Sequence, residues 1–366
     1  MATRPRGIDT FFLFSVSILT VTGFVVFLSA SLGLLAQSGG NFGMIALKQA
    51  ASLILGIISF YIFSKIDYIW IRRFALFILT GAVLVNLLLF IPSLSLFHGG
   101  ASRWLDLGPL TFQPSELLKI AFIIYLAAWI KFAKEKIKHF RYGLLVYIIL
   151  MGILGVLLMI QSDTDTLLII GVTGIGMLFV AGVPMKHIII TFALMAAVVV
   201  GVVMLRPYAM QRVTTFFNRA QDTQGAGYQI NQSLIAIGSG QLTGRGFGQS
   251  IQKFGYLPQP TDDSIFAVGA EEFGFIGSLI LLGFYLMFAV SSFRIGTLAT
   301  DSFGAFVAIG IAILVIIESF LNIAAMLGLV PLSGVPLLFI SHGGTALIIT
   351  LAAAGIVANV SKRSRA

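Results

Sequence analysis

The sequence predicts an all-α polytopic membrane protein with about ten transmembrane helices. Of its 366 residues, 58% are hydrophobic and only 10% are charged, and the mean hydropathy is +1.01. A water-soluble chain of this length would need many more polar residues to cover its surface. Apolar runs long enough to cross a bilayer occupy residues 10–36, 44–64, 74–93, 114–132, 142–160, 166–183, 188–205, 265–292, 303–327 and 342–360.

The composition also excludes other classes of protein. Cysteine is absent, so disulfide frameworks and thiolate metal sites are excluded. The net charge of +9 does not indicate nucleic-acid binding, because the basic residues are scattered between apolar runs. The first run is longer than the core of a signal peptide, and we expect it to be retained as a helix.

The distribution of basic residues predicts the orientation of the chain. Basic residues favour the cytoplasmic side of a membrane protein. With the N-terminus inside, the short outer loops hold almost only Arg103. We therefore expect an even number of spans with both termini in the cytoplasm. The cytoplasmic segments would then hold 15 of the 23 basic residues, namely Arg4, Arg6, Lys65, Arg72, Arg73, Lys131, Lys134, Lys136, Lys138, Arg141, Lys186, Arg294, Lys362, Arg363 and Arg365.

The segment 206–264 differs from the short loops. It lies on the predicted outer side between the seventh and eighth runs, is about 59 residues long, and is much more polar than its surroundings. Loops of this length are uncommon unless they have a function. Within it, NQSLIAI at 231–237 is apolar enough to form an amphipathic or re-entrant helix. The alternative is a solvated loop whose basic residues contact lipid headgroups. We expect residues 1–366 to form one membrane domain, with 206–264 as its large extracytoplasmic loop.

Ionisable residues within or beside the apolar runs are costly in lipid and therefore indicate functional positions. Glu116 and Lys119 are three residues apart on one helical face, so they either form an internal ion pair or line a cavity. Asp163 and Asp165 follow the fifth run at its outer end. They form either an ordinary polar turn or carboxylates that face the same outer cavity.

Two further polar pairs favour a structural interpretation. Glu271 and Glu272 lie two turns into the eighth run, and we expect at least one of them to face the protein interior. Glu318 and Asn322 are one turn apart in the ninth run. Side chains of this kind form hydrogen bonds between transmembrane helices, and we predict that role for both.

Several of these segments together resemble one family. The chain contains GASRW, LGP and FQPSELLK within 100–119, QSD at 161–163, GYQ at 227–229, QSLIAIGSG at 232–240 and GRG at 244–246. It continues with YLP, DSIFA and EE within 256–272, and closes with Asn322, GLVP and SGVPL followed by SHGG at 341–344. In this order and spacing the set is similar to the SEDS family (shape, elongation, division and sporulation), which includes RodA and FtsW. The match covers nearly the whole chain.

Six residues depart from the family pattern, and two of them, Thr261 and Ser264, replace a histidine and a phenylalanine. Asp262 stands at a threonine position, next to Asp263, which corresponds to the family's essential aspartate. Ser162 replaces a proline, Asp165 replaces a glycine, and His342 replaces a tyrosine or a similar residue. The adjacent carboxylates leave open whether Asp262 shares the role of its neighbour.

The resemblance implies a peptidoglycan glycosyltransferase that polymerises lipid II at the outer face of the cytoplasmic membrane. This reaction joins the 4-hydroxyl of one sugar to the anomeric carbon of another and releases a polyprenyl diphosphate. It needs a base for the hydroxyl and cations or a metal for the leaving group. The implied partners are a class B penicillin-binding protein and other divisome or elongasome membrane proteins. LSAS at 28–31 is similar to a segment of the division branch.

The resemblance also assigns residues to this reaction. Asp263 would be the general base. The candidate substrate-binding residues are Arg103, Glu116, Lys119, Asp163, Arg212, Gln229, Arg245, Lys253 and Ser341. The planar fork of arginine suits phosphate, and the candidates for the diphosphate are Arg103, Arg212, Arg245 and Lys253. A divalent cation, magnesium or manganese, is a further candidate, with ligands drawn from Glu116, Asp163 and Asp263.

Two other functions fit the same composition. One is a flippase that carries lipid II across the membrane, and the other is a non-catalytic scaffold for the penicillin-binding protein. A transporter should place its sites near the midplane between structural repeats, whereas the polar segment and the aligned carboxylates here lie on the outer side. A protein that bound its partner without polymerising lipid II would favour the scaffold.

Overall fold

The chain is an all-α membrane protein, as predicted. The computed structural model describes residues 7–35, 42–98, 101–106, 108, 111–218, 222 and 225–364. Arg4, Arg6, Arg219 and Arg365 lie outside these ranges. The helices are α1 Thr10–Leu32, α2 Phe42–Lys65, α3 Tyr68–Arg73, α4 Ala75–Leu87, α5 Pro114–Ala133, α6 Leu144–Ile160, α7 Thr164–Val180, α8 Met185–Leu205, α9 Pro207–Phe217, α10 Ala226–Ser239, α11 Ile265–Leu298, α12 Ser302–Met326 and α13 Gly344–Ser361.

Each of the ten predicted apolar runs overlaps one of these helices. Within the described ranges, six helices are long and apolar enough to cross a membrane: α1, α2, α8, α11, α12 and α13. The helices α4, α6 and α7 are apolar but shorter, and α5 has 20 residues that include Glu116, Lys119 and Lys131. The structure therefore confirms a polytopic helical protein.

The helices α12 and α13 form the centre of the fold, whereas α2 and α8 are largely exposed. The exposed side chains of α8, such as Ile189 and Phe192, are apolar, so this surface faces hydrocarbon. The helices α2 and α13 approach each other closely at Gly355, where an added Cβ would lie 2.5 Å from the carbonyl oxygen of Phe60. Small residues permit such contacts between membrane helices.

The long helix α11 is interrupted at Gly274, which has φ 69° and ψ −167°. The backbone groups released by this break bond to the segment 241–246. The N–H of Phe275 donates to the carbonyl of Gln241 at 2.8 Å, and the N–H of Arg245 donates to the carbonyl of Glu271 at 3.0 Å. Irregular backbone at membrane depth requires such partners. The break therefore anchors the segment 241–246 to α11.

The segment 206–264, which is predicted to be extracytoplasmic, contains the helices α9 and α10. The predicted amphipathic helix at 231–237 lies within α10, which confirms its helical structure. One face of α10 is buried and includes Gly227, Ile230, Ser233 and Ala236. This part of the segment is thus packed against the protein and is not a solvated loop.

A small antiparallel sheet, which the sequence analysis did not predict, precedes α5. Its strands are β1 Ser95–His98, β2 Ala101–Asp106 and β3 Thr111–Phe112, in the order β1–β2–β3. Leu96 pairs with Trp104, and Leu105 pairs with Phe112. The sheet fixes the position of Arg103 in its middle strand.

Candidate active site

A polar cavity of about 380 Å³ lies where β2, α9, α10 and the turn before α11 meet. Four of the predicted site residues, Arg103, Arg212, Gln229 and Asp263, line it together. The sequence analysis missed the others, which are Trp104, Gln211, Thr215, Asp222, Gly225, Ala226, Gln259, Leu332 and Gly334. Most of these residues are neutral and lie in loops or short helices. A search for ionisable residues in apolar runs therefore does not find them.

Asp263 lies in the turn before α11 and is almost fully buried. Asn322 of α12 donates its amide to the backbone carbonyl of Asp263 at 2.8 Å and to that of Val335 at 2.7 Å. This confirms the predicted structural hydrogen bonding of Asn322. Among the described residues, the Oδ1 atom of Asp263 has no hydrogen-bond partner. The backbone of Asp263 is therefore held firmly, and one of its carboxylate oxygens is buried without a hydrogen-bond partner in the described part of the chain.

The loop before α13 holds the same turn from the other side. Ser341 donates its hydroxyl to the carbonyl of Asp262 at 2.6 Å and accepts a bond from the N–H of Leu337 at 2.8 Å. The N–H of His342 donates to the carbonyl of Thr261 at 2.7 Å. Ser341 is predicted to bind substrate, but its hydroxyl fixes the backbone beside Asp263 in this structure.

The two adjacent carboxylates differ in their surroundings. Burial raises the pKa of Asp263 to about 6, although hydrogen bonding from Gln229 and the positive charge of Arg212 oppose this shift. Burial raises the pKa of Asp262 to about 7, and the charge of Asp263 adds to that effect. In the described part of the chain, the cavity is lined by Asp263 and not by Asp262. The geometry thus favours Asp263 as the reacting carboxylate.

Arg212 faces Asp263 across the space beside Gly334. A Cβ added to Gly334 would lie 3.9 Å from Oδ2 of Asp263 and 4.0 Å from Nη2 of Arg212. On its other edge, Nη1 of Arg212 donates to both oxygens of Asp165, at 2.8 and 3.1 Å. The departure at Asp165 therefore places a carboxylate against Arg212. Asp165 lines an adjoining apolar groove and not the polar cavity, so the predicted alternative of carboxylates that face one cavity is not confirmed.

A second arginine reaches the cavity from the sheet. Nη2 of Arg103 donates to the backbone carbonyl of Ser162, which has φ 57° in the turn between α6 and α7. In the next residue, the side chain of Asp163 accepts a bond from the N–H of Thr166 and caps α7. Arg103 is thus held by a carbonyl oxygen of the α6–α7 turn, and Arg212 is held by Asp165 in the first turn of α7.

Lys253 and Arg245, predicted to bind the diphosphate, lie elsewhere. Lys253 is fully buried, and its Nζ is 2.7 Å from Glu272 and 2.9 Å from the hydroxyl of Ser29. Arg245 pairs with Glu271 at 3.4 Å. These contacts anchor the 241–253 segment to α11 and confirm that both glutamates face inward. Neither cation lines the polar cavity described here. Each one instead neutralises a buried carboxylate.

Glu116 and Lys119 also lie apart from the cavity. Nζ of Lys119 is 3.0 Å from Glu116 and 2.5 Å from Glu318 of α12, and all three side chains are buried. The internal ion pair is therefore confirmed, and it includes the predicted interhelical contact of Glu318. A role in binding substrate would require these residues to act through the packing of α5 against α12.

The predicted metal ligands do not converge. Glu116 is bound to Lys119, Asp163 caps α7, and Asp263 faces the polar cavity. The described residues contain no group of three histidine, aspartate or glutamate side chains that could hold a metal ion. These residues therefore do not fit the predicted site for a divalent cation.

An apolar groove of about 800 Å³ adjoins the polar cavity. It runs between α6, α7 and α8, and its walls include Met151, Met159, Leu168, Met195 and Val199. Arg212 and Leu332 line both the groove and the polar cavity. A ligand with a long hydrocarbon tail and an anionic head would fit across this boundary.

Comparisons with known proteins agree with this geometry. Residues 9–366 match the family model for FtsW, RodA and SpoVE, described as cell cycle protein. The chain is 36% identical to a probable peptidoglycan glycosyltransferase FtsW of Geobacter sp. (strain M18), with 99% of each chain covered. It is 33% identical to stage V sporulation protein E of Bacillus subtilis, with 100% of each covered.

Solved structures show the same fold. A chain from a peptidoglycan synthase complex that coordinates polymerisation and crosslinking superposes with a TM-score of 0.77 and 25% identity, covering 97% of each chain. The rod shape determining protein RodA of Thermus thermophilus gives a TM-score of 0.68 with 22% identity over 98% of each chain.

Proposed function

The chain belongs to the FtsW/RodA/SpoVE family of cell cycle proteins, and we propose that it is a peptidoglycan glycosyltransferase that polymerises lipid II. Two curated relatives, 36% and 38% identical, are named probable peptidoglycan glycosyltransferase FtsW. The observation that supports the assignment best is that buried Asp263 lines one cavity together with Arg103 and Arg212, and that its Oδ1 has no hydrogen-bond partner among the described residues.

The proposed reaction uses Asp263 as the general base. Its carboxylate accepts the proton of the acceptor 4-hydroxyl as that oxygen bonds to the anomeric carbon of the donor sugar. The bond from the anomeric carbon to the phosphate oxygen breaks, and the diphosphate leaves with the electron pair. Arg212 and Arg103 stabilise the charge that develops on this leaving group. The predicted divalent cation stays untested, and no step here depends on it.

The apolar groove would hold the polyprenyl chain of a lipid-linked substrate. Because Arg212 lines both spaces, a diphosphate beside it connects a tail in the groove to a sugar in the polar cavity. The chain already lies in hydrocarbon before it binds, so the groove gains little hydrophobic free energy from it and holds it by van der Waals packing. The groove thus orients the tail, and the polar cavity provides the chemistry.

We also propose ten spans with both termini cytoplasmic and the active site on the outer side of the cytoplasmic membrane. Residues predicted to be cytoplasmic meet at one end of the fold. Asp301 pairs with Arg72 and Lys131, and Asp67 pairs with Arg363 at 2.7 Å. The residues of the polar cavity all come from segments predicted to be external.

The proposed partner is a class B penicillin-binding protein, in keeping with the synthase complex that shares this fold. Other divisome or elongasome proteins remain predictions. The test is glycan polymer formation by the purified full-length chain from lipid II in detergent, with and without the partner. Polymer would exclude the flippase and scaffold alternatives as the sole function, because detergent offers no second compartment. Bound lipid II without polymer under both conditions would contradict the enzyme assignment.

The pH dependence of polymerisation should reflect Asp263. Because the base must be ionised and its pKa is raised to about 6, we expect kcat/KM to fall about tenfold per pH unit below this value. Initial rates measured at acidic and neutral pH, with folding monitored in parallel, would check this expectation. A rate that stayed constant through pH 6 would contradict the role of Asp263 as the base.

Replacing Arg212 with alanine should weaken lipid II binding and reduce polymerisation at least about tenfold, because a charge-assisted contact to the diphosphate is lost. Equilibrium binding and initial rates should be measured together. The matched control is Arg206→Ala, since Arg206 is an exposed arginine at the start of the same helix. Unchanged lipid II binding in Arg212→Ala would remove Arg212 from the leaving-group role.

A further inference from the structure

Asp165 introduces a negative charge at the position where the apolar groove meets the polar cavity. It lies in the first turn of α7, lines the groove, and stands where the family pattern has glycine. Its side chain and that of Arg212 are 17% and 18% exposed, so the pair is only partly screened by solvent. A carboxylate here requires an explanation, because anions repel the diphosphate that the proposed function places nearby.

The geometry shows that Asp165 binds the arginine that the diphosphate would need. Nη1 of Arg212 donates to both Asp165 oxygens, while Nη2 borders the space beside Gly334 that Asp263 also borders. One edge of the guanidinium is therefore paired with a carboxylate, and the other edge faces the polar cavity. Arginine forms paired bonds with carboxylates and phosphates through the same planar fork. The two anions compete for one cation.

We propose that Asp165 is a placeholder anion, which neutralises Arg212 in the empty enzyme and is exchanged for the diphosphate of the lipid-linked substrate. This inference rests on the proposed function. The exchange has two consequences. A diphosphate that pairs with both Nη atoms must displace the carboxylate from Nη1, so its affinity is lower than the arginine alone would give. The released polyprenyl diphosphate is displaced in turn when Asp165 pairs with Arg212 again, which favours product release.

The direct test measures binding of undecaprenyl diphosphate to the full-length chain in nanodiscs at fixed ionic strength. Asp165→Asn should bind this probe roughly three- to tenfold more tightly than wild type, because the competing charge is removed while the size of the side chain is kept. Asp165→Gly should shift affinity in the same direction. The matched control is Asp106→Asn, which removes an exposed outer carboxylate of β2 and should leave affinity unchanged.

A double-mutant cycle identifies the partner. In an Arg212→Ala background, Asp165→Asn should no longer increase affinity, since the two residues act as one pair. In the polymerisation assay, Asp165→Asn should lower KM and strengthen product inhibition by undecaprenyl diphosphate, a split that loss of structure would not produce. Equal or weaker probe binding by folded Asp165→Asn and Asp165→Gly would overturn the proposal and make Asp165 a support for Arg212.

Failure of the inference and failure of the proposed function give different results. Tighter probe binding in a protein that never polymerises lipid II would support the placeholder and contradict the enzyme. Polymerisation by wild type, with unchanged affinity for the probe in both Asp165 variants, would support the enzyme and contradict the placeholder. Should one variant fail to fold, as judged by size-exclusion chromatography, the other carries the comparison. If both variants failed to fold, Asp165 would be required for the fold as a support for Arg212, and the placeholder proposal would be rejected.

Discussion

Replacing Asp263 with asparagine is expected to abolish glycan polymerisation, with a loss of about 10²- to 10⁴-fold, while the protein still folds. A general base contributes an acceleration of this size, and an amide cannot accept the hydroxyl proton. One oxygen of this carboxylate, Oδ1, has no hydrogen-bond partner in the described part of the chain, and the other, Oδ2, borders the space beside Gly334. Asparagine keeps the shape of the side chain, so the backbone contacts from Asn322 should persist.

The measurement is the initial rate of polymer formation from purified lipid II, with binding of lipid II determined in parallel. The matched control is Asp262→Asn, the same chemical change one residue earlier, which should retain most of the activity because Asp262 does not line the described cavity. Full activity of Asp263→Asn would end the assignment. An inactive Asp262→Asn beside an active Asp263→Asn would transfer the role to the neighbouring carboxylate.

The thermal stability of Asp263→Asn provides a second test, which concerns the raised pKa of Asp263. The pKa of Asp263 is raised from its ordinary value of 3.8 to about 6 by burial. At neutral pH the folded protein therefore carries an ionised side chain that burial disfavours, and this charge lowers the free energy of unfolding. Asp263→Asn should consequently unfold at the same temperature as wild type or a higher one. Active-site residues commonly reduce stability in this way.

The helices were predictable because hydrocarbon imposes one rule on every span. A run of apolar residues must satisfy its backbone internally, so each predicted run overlaps a helix. The break at Gly274 was not predictable, since its backbone partners at Gln241 and Leu242 lie outside the run. The sheet around Arg103 was missed because its strands have only two to six residues.

The site residues could be predicted where the reaction requires a particular charge. Asp263 and Arg212 carry the charges that the reaction needs, and the structure brings both to one cavity. Lys253 and Arg245 carry the same charge as Arg212, but their partners are Glu272 and Glu271. Charge alone does not reveal whether a cation faces a ligand or a buried carboxylate. Asp165, which departs from the family pattern, became informative only when its contact with Arg212 was known.

Replacing Lys119 with methionine is expected to be the most destabilising single change at a polar residue in the transmembrane core. Lys119 is the cation between Glu116 and Glu318, which are 4% and 0% exposed. Removing it leaves two buried carboxylates without their counter-charge, at a cost of about 3–5 kcal/mol. Thermal unfolding in detergent, followed by tryptophan fluorescence and size-exclusion chromatography, should show a much lower unfolding temperature.

Glu318→Gln is the comparison that separates this cause from lost packing. It keeps the Glu116–Lys119 pair at 3.0 Å and removes a carboxylate whose Oε2 has no partner among the described residues, so its cost should be clearly smaller. Adding Glu116→Gln and Glu318→Gln to Lys119→Met should recover most of the lost stability, because no uncompensated buried charge then remains. Wild-type stability of Lys119→Met, or no recovery in the triple variant, would show that packing and not charge holds α5 against α12.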